Sequence, residues 1–138
     1  MGHRALHAAD ADWQPSRVMK VDNCDIASQL ELGEQSARLW RLRPGQTNTR
    51  HRQKAERELY VLLQGTGRIR IGDELLTLEP LSAVVVDPDT VRQVFNDTDA
   101  EQLWLIVGTP REKFTPEDAA WVYPDGPEAL PPELLPES

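Results

Sequence analysis

The stretch from Gly45 to Gly65, GQTNTRHRQKAERELYVLLQG, decides the fold of this chain. Its informative positions are Gly45, His51, Gln53, Glu58 and Gly65, in the spacing G-x5-H-x-Q-x4-E-x6-G. Residues two apart on an extended chain point to the same side. His51 and Gln53 therefore project together, while Arg50, Arg52 and Lys54 project away. Glu58, Tyr60 and Leu62 share a face of the next strand. That strand, Glu58 to Gln64, is the clearest in the chain because it is rich in Tyr, Val and Leu. Gly65-Thr66-Gly67 is the turn that ends it, and Pro44-Gly45 is the turn that ends the strand before it.

The same alternation continues on both sides. Ser36 to Leu42 reads as a strand, with Ser36, Arg38, Trp40 and Leu42 on one face. Arg68 to Ile71, Leu75 to Leu78, Ala83 to Val86, Val91 to Phe95 and Leu103 to Val107 complete the set. Gly72-Asp73 and Asn96-Asp97-Thr98-Asp99 are the turns between them. Arg17 to Val21 is expected as a further short strand, and Met1 to Pro15 as a loose polar arm. Thr115-Pro116-Glu117-Asp118 is a helix start, with Thr115 as N-cap and the acids facing the positive end of the dipole. Pro124 to Pro127 stops that helix, and the Pro-rich end, Leu130 to Pro136, is expected to be extended. Turn signals recur about every eight to twelve residues, which predicts an all-β sandwich or barrel.

Taken together, these positions resemble the first motif of the cupin family, which carries a second His where this chain has Gln53. The family's second motif is a Pro-x-Gly-x-x-His-x3-Asn turn after an apolar strand. Here Val84-Val85-Val86 precedes it and Asn96 ends it. Asp87 stands at the Pro, Asp89 at the Gly, and Arg92 at the family's metal-binding His. The resemblance covers about Arg38 to Pro110. It implies a single jelly-roll β-barrel, or double-stranded β-sandwich, with N-terminal strands, a short C-terminal helix and a Pro-rich tail. The expected division is an arm and strand region over 1–34, a barrel over 35–110, and helix and tail over 111–138. Related barrels commonly dimerise through N-terminal strands, so the resemblance implies a homodimer using the region before Pro44.

Composition narrows the class. The 138 residues suit one domain that buries enough surface to need no covalent staple. The net charge of −8 argues against a general nucleic-acid or membrane role. Cys24 is the one cysteine, so an intrachain disulfide is excluded and a reducing, cytoplasmic setting is expected. Charge is uneven along the chain. Arg38, Arg41, Arg43, Arg50, Arg52, Lys54, Arg57, Arg68 and Arg70 cluster in one stretch opposed only by Glu56 and Glu58. The segment after Pro110 is acidic. Such a pattern marks a set of solvated strand faces, a basic pocket mouth, or an acidic tail lying over a basic face.

The metal-binding relatives gather three His and one Glu, a set that suits iron, manganese, nickel or zinc. This chain retains His51 and Glu58 of those four. Gln53 offers a weak amide oxygen, and Arg92 is permanently charged with no acceptor. A guanidinium there repels a divalent cation and is expected to pair with Glu58 or with a ligand's carboxylate or phosphate. The first reading is thus a small-molecule-binding cupin with a degenerate metal site. Its ligand is anionic and organic, and His51, Gln53, Glu58, Tyr60, Arg92 and Trp40 line the pocket. A second is a metal-dependent enzyme of the dioxygenase, isomerase, decarboxylase or lyase class, with His51, Gln53 and Glu58 as ligands. A metal-free enzyme would use His51 as general base or acid, with Glu58 orienting it and Arg92 holding the substrate's charge. A third is a structural or interaction module.

Overall fold

The computed structural model describes residues 2–136. Nine strands form two antiparallel sheets: β1 (Trp13–Pro15), β2 (Asp22–Asp25), β3 (Ser36–Leu42), β4 (Arg57–Gln64), β5 (Gly67–Ile71), β6 (Glu74–Leu78), β7 (Ala83–Val86), β8 (Arg92–Phe95) and β9 (Gln102–Thr109). The larger sheet has the order β1-β2-β3-β9-β4-β7 and the smaller β6-β5-β8. Isolated bridges Thr47↔Phe95 and His51↔Arg92 lay the chain before β4 along β8, widening the smaller sheet. Short helical segments are α1 (Ile26–Gln29) and α2 (Ala119–Val122). The result is the all-β architecture that the strand spacing predicts, in the jelly-roll form that the resemblance implies.

Alternation fixes which residues face inward. On β4, Tyr60 and Leu62 are buried while Arg57 and Leu59 are exposed; on β9, Gln102, Trp104, Ile106 and Gly108 are buried. Cross-strand register then sets the character of the two barrel ends. At one end Leu62 lies opposite Trp104, and Leu42, Ile69 and Val94 join them in an apolar core. At the other, Ser36 and Glu58 flank Gly108 from either side. Large apolar side chains fill the first end, whereas small and polar ones leave the second hollow. The Tyr60 and Trp104 rings meet edge to face, centroids 6.4 Å apart, where core gives way to cavity.

Turn chemistry supports the strand pattern. Gly45 and Gly65 both have positive φ, as the motif's turns require, and a Cβ at Gly65 would run into the Glu101 carbonyl. Asp89, at the second motif's glycine position, also has positive φ (67°), which aspartate tolerates better than most residues. Its amide donates to the Gln53 carbonyl at 2.7 Å and ties the two motifs together.

Three expectations need correction. The strand placed at Arg17 to Val21 lies at Asp22–Asp25. Residues 17–20 are instead the turn of a hairpin, closed by the Ser16 amide on the Val21 carbonyl, with Lys20 at φ 58°. The arm is not loose throughout, since Trp13–Pro15 pairs with β2 and Arg41 stacks on the Trp13 ring at 4.5 Å. The Pro-rich end is not simply extended: Pro132–Leu134 is a 3-10 turn, Arg70 pairs with Glu133, and Gln93 Nε2 donates to the Ala129 carbonyl. At the helix start Thr115 is the N-cap, as that sequence predicts, and its amide and hydroxyl both donate to Asp118 Oδ2 ahead of α2. Met1, Glu137 and Ser138 lie outside the described residues.

Candidate functional site

The hollow end of the barrel is a cavity of about 670 Å³. His51, Gln53, Glu58, Tyr60, Arg92 and Trp40 all line it. Their convergence follows from register. Glu58 and Tyr60 come from β4, Trp40 from β3, and Arg92 from β8, while His51 exchanges both backbone hydrogen bonds with Arg92.

Glu58 is the hub of the floor. Its Oε1 accepts from Arg92 Nη1 at 3.0 Å and from the Tyr60 hydroxyl at 2.9 Å, and His51 Nε2 lies 3.8 Å away. Arg92 Nη2 donates to the Asp87 carbonyl at 2.9 Å, and its Nε is buried with no acceptor among the described residues. The Arg92 side chain is wholly buried, and that of Glu58 is 13% exposed. Burial pushes the Glu58 carboxyl up, but the His51 ring, the Arg92 charge and the Tyr60 hydroxyl outweigh it and hold it below its ordinary value. Burial likewise drives the Tyr60 hydroxyl well above its ordinary value, so it stays protonated and donates. His51 Nδ1 lies 3.1 Å from the Thr49 carbonyl. A carbonyl only accepts, so Nδ1 carries a proton and donates to it, which leaves Nε2 facing the Glu58 carboxylate at the cavity floor.

Gln53 does not join this hub. Its Nε2 donates to Glu56 Oε1 at 3.2 Å. Glu56, which the motif reading passed over, is 3% exposed. It also accepts from the Ser36 hydroxyl and, at 3.0 Å, from the Glu112 amide, and Gly108 is the residue that leaves room for it. The Glu112 carboxylate in turn accepts from the Ala55 and Glu56 amides. One signal in the sequence points to Glu56: it stands two residues before Glu58 and so shares its face. Nothing local points to Ser36, Glu112 or Gly108 as its neighbours.

Burial pushes the Glu56 carboxyl above its ordinary value, and the nearby charges of Glu58 and Glu112 add to this against the Ser36 and Glu112 hydrogen bonds. The folded protein thus holds this proton more tightly than the unfolded chain does. The ionised form weakens the fold at neutral pH, and stability recovers as pH falls through the folded value. Glu56→Gln keeps the acceptor for Gln53 and Glu112, and its amide can donate to Ser36, whose hydroxyl proton turns to the Gly108 carbonyl 3.3 Å away. The urea midpoint of Glu56→Gln at pH 7 is expected to equal or exceed the wild type's, with the difference shrinking as pH falls. A loss above about 1 kcal/mol at pH 7 would show that the charge itself is required.

A divalent cation does not fit this donor set. One imidazole and one carboxylate face each other, the Gln53 amide serves Glu56, and the Arg92 guanidinium already sits on the carboxylate that a cation would need. Among the described residues no three His, Cys, Asp or Glu gather as a metal cluster. Arg92 itself supplies the positive charge at the centre of the floor.

The cavity wall includes residues outside the barrel motifs. Phe114 and Tyr123, from the segment after β9, cover one side, and the Tyr123 ring centroid lies 6.5 Å from that of His51. The outward-facing row Arg50, Arg52 and Lys54 holds this segment. Arg50 pairs with Asp125, Lys54 with Asp118, and Arg52 stacks on Trp121 at 4.5 Å while Nε donates to the Trp121 carbonyl. An acidic segment over a basic face is therefore what these residues build, and Trp121 and Tyr123 anchor it.

Comparison with known proteins agrees with this architecture. A sugar phosphate isomerase of the cupin superfamily from Silicibacter pomeroyi superposes with a TM-score of 0.71 at 19% identity, covering 79% of this chain and 76% of that one. A predicted oxalate decarboxylase from Thermotoga maritima gives 0.68 at 14% identity, over 76% and 97% of the two chains. KdgF from Halomonas sp. gives 0.65 at 16% identity, over 77% and 94%. Likeness at these identities concerns the fold alone. No curated protein sequence matches the chain. The family model described as "Cupin domain" matches residues 38–108, and this chain belongs to the cupin family.

Proposed function

We propose that the barrel cavity binds a small organic anion without a resident metal. One observation carries this reading: the balance of charge on the cavity wall runs opposite to that of the whole protein. Arg17, Arg38, Arg92, Arg111 and Lys113 line the cavity, together with four carboxylates, Asp25, Glu56, Glu58 and Glu112. Five cations against four anions leave a surplus of one positive charge inside a chain whose net charge is −8. Trp40, Val94, Ile106 and Phe114 supply the apolar remainder, the usual anatomy of a small-molecule site.

A thermal-shift survey with a library of organic acids, matched neutral alcohols and amines tests this. A cognate anion present at about 100 times its Kd adds about 2.7 kcal/mol, an increase of roughly 5–10 °C in Tm for a domain of this size. Stabilisation by neutral or cationic compounds alone would sink the reading. Catalysis is a second reading, supported by the His51 ring with Nε2 3.8 Å from the Glu58 carboxylate, an arrangement suited to moving a proton. Mass spectrometry of the stabilising compound after incubation separates the two. A changed mass means turnover, and an unchanged one leaves binding alone.

A further inference from the structure

The cations on the wall are not equivalent. Arg92 is paired with Glu58 and its side chain is wholly buried, so its charge is already matched. At the exposed end of the cavity two guanidiniums converge on one carboxylate. Arg38 Nη2 lies 3.1 Å and Arg111 Nη2 3.2 Å from the same oxygen of Asp25, Oδ2. Arg38 Nη1 donates to Asn23 at 2.7 Å, and Arg111 Nη2 also reaches Ser28 Oγ at 3.1 Å. Among the described residues Arg38 Nε and Arg111 Nε and Nη1 meet no acceptor. Their side chains are 40% and 28% exposed. Two positive charges on one negative leave this cluster with a net charge of +1 and free N–H groups in fork geometry, which suits a carboxylate or phosphate.

The floor has the opposite need. Every donor that reaches Glu58 uses Oε1, and among the described residues none reaches Oε2. A ligand at the floor must therefore bring hydrogen-bond donors. The two poles are joined by register, since Arg38 pairs with Ile106 on β9 and Ile106 with Tyr60 on β4. Two strand spacings separate the backbones of Arg38 and Tyr60, about 10 Å.

Building on the anion-binding reading above, we propose that Arg38 and Arg111, sharing Asp25, form the anion-docking pole of the cavity, and that Glu58, beside His51, forms a hydroxyl-accepting pole opposite it. The ligand class is a hydroxylated organic anion long enough to span both. An anion without hydroxyls leaves the floor acceptors unpaired, and a polyol without charge leaves the guanidinium cluster unmatched.

Isothermal titration with three probes tests the assignment: gluconate, which has both features, sorbitol, which lacks the charge, and hexanoate, which lacks the hydroxyls. The wild type is expected to bind gluconate at least tenfold more tightly than either of the others. Arg111→Gln takes the cluster from +1 to neutral while leaving Asp25 paired with Arg38, so the fold is not put at risk. It is expected to bind gluconate no better than sorbitol, and Arg111→Lys is expected to restore most of the preference. A gluconate preference that survives Arg111→Gln overturns the assignment of the docking pole and leaves the anion-binding reading standing. Equal affinity of the wild type for all three probes overturns the two-pole class. Should a cavity-filling Ile106→Trp variant bind gluconate as the wild type does, the molecule lies outside the barrel, and the proposed function falls as well.

Discussion

Arg92→Ala is expected to cost about 3–5 kcal/mol of folding stability, the range for breaking a buried ion pair from one side. The cost comes from what is left behind rather than from the bond removed. Glu58 would keep its burial and its Tyr60 hydrogen bond but lose the guanidinium 3.0 Å away. The pH dependence has a definite sign. In the wild type the Glu58 carboxyl sits below its ordinary value, so its ionisation contributes stability above the unfolded-state value and loses it as pH falls through the folded one. Without Arg92, burial acts with one opposing charge fewer, and the carboxyl takes up a proton at higher pH. The gap between variant and wild type should therefore be widest at neutral pH and narrow toward pH 4. Urea titrations at pH 7 and pH 4 measure it. The Arg92→Met/Glu58→Gln double variant should recover part of the loss, because neither charge is then stranded and the new amide still accepts from Tyr60. A loss below about 1 kcal/mol for Arg92→Ala would mean that the pair does not hold the floor together.

Arg92→His is expected to change what the site binds, from no stoichiometric divalent metal to one ion per chain. Position 92 exchanges both backbone hydrogen bonds with His51, so the two side chains stand side by side on one face. The introduced imidazole would face His51 and Glu58, with the guanidinium that now occupies the carboxylate gone. Two imidazoles and a carboxylate with open positions are a set that divalent iron, zinc or nickel accepts. Elemental analysis after dialysis against zinc or nickel, with calorimetry for affinity, reads the gain. Stoichiometric metal in the wild type that disappears on His51→Ala would reverse the argument, since the floor would then hold a cation despite Arg92.

Glu58 and Arg92 are the pair that the motif spacings lead one to expect, and they are also the pair whose meeting the fold arranges. Alternation on β4 turns Glu58 inward, and the apolar run before Asp87 places β8 as a return strand. Gln53 shows where such reasoning stops. Its facing is local and correct, but its partner is Glu56 rather than Glu58, because Gly108 and Ser36 on neighbouring strands open a niche only there. Trp104 is similar: alternation allows either face, and only its pairing with Leu62 buries it. The row Arg50, Arg52 and Lys54 reads as outward, while the acids that pair with it come from residues 118–125.

By itself the sequence determined the family, the strand pattern between Ser36 and Val107, the turns that bound those strands and the inward face of β4. All of these depend on properties repeated every two residues or confined to a single turn, so they are written locally. Only the tertiary structure decided that Arg92 is spent on Glu58, that Glu56 is a second buried carboxylate, and that Arg38 and Arg111 share Asp25. Those neighbours lie far apart in sequence, 86 residues in the case of Arg111 and Asp25. They meet only once the sheets have closed with a particular register, and register is a property of the whole barrel rather than of any segment in it.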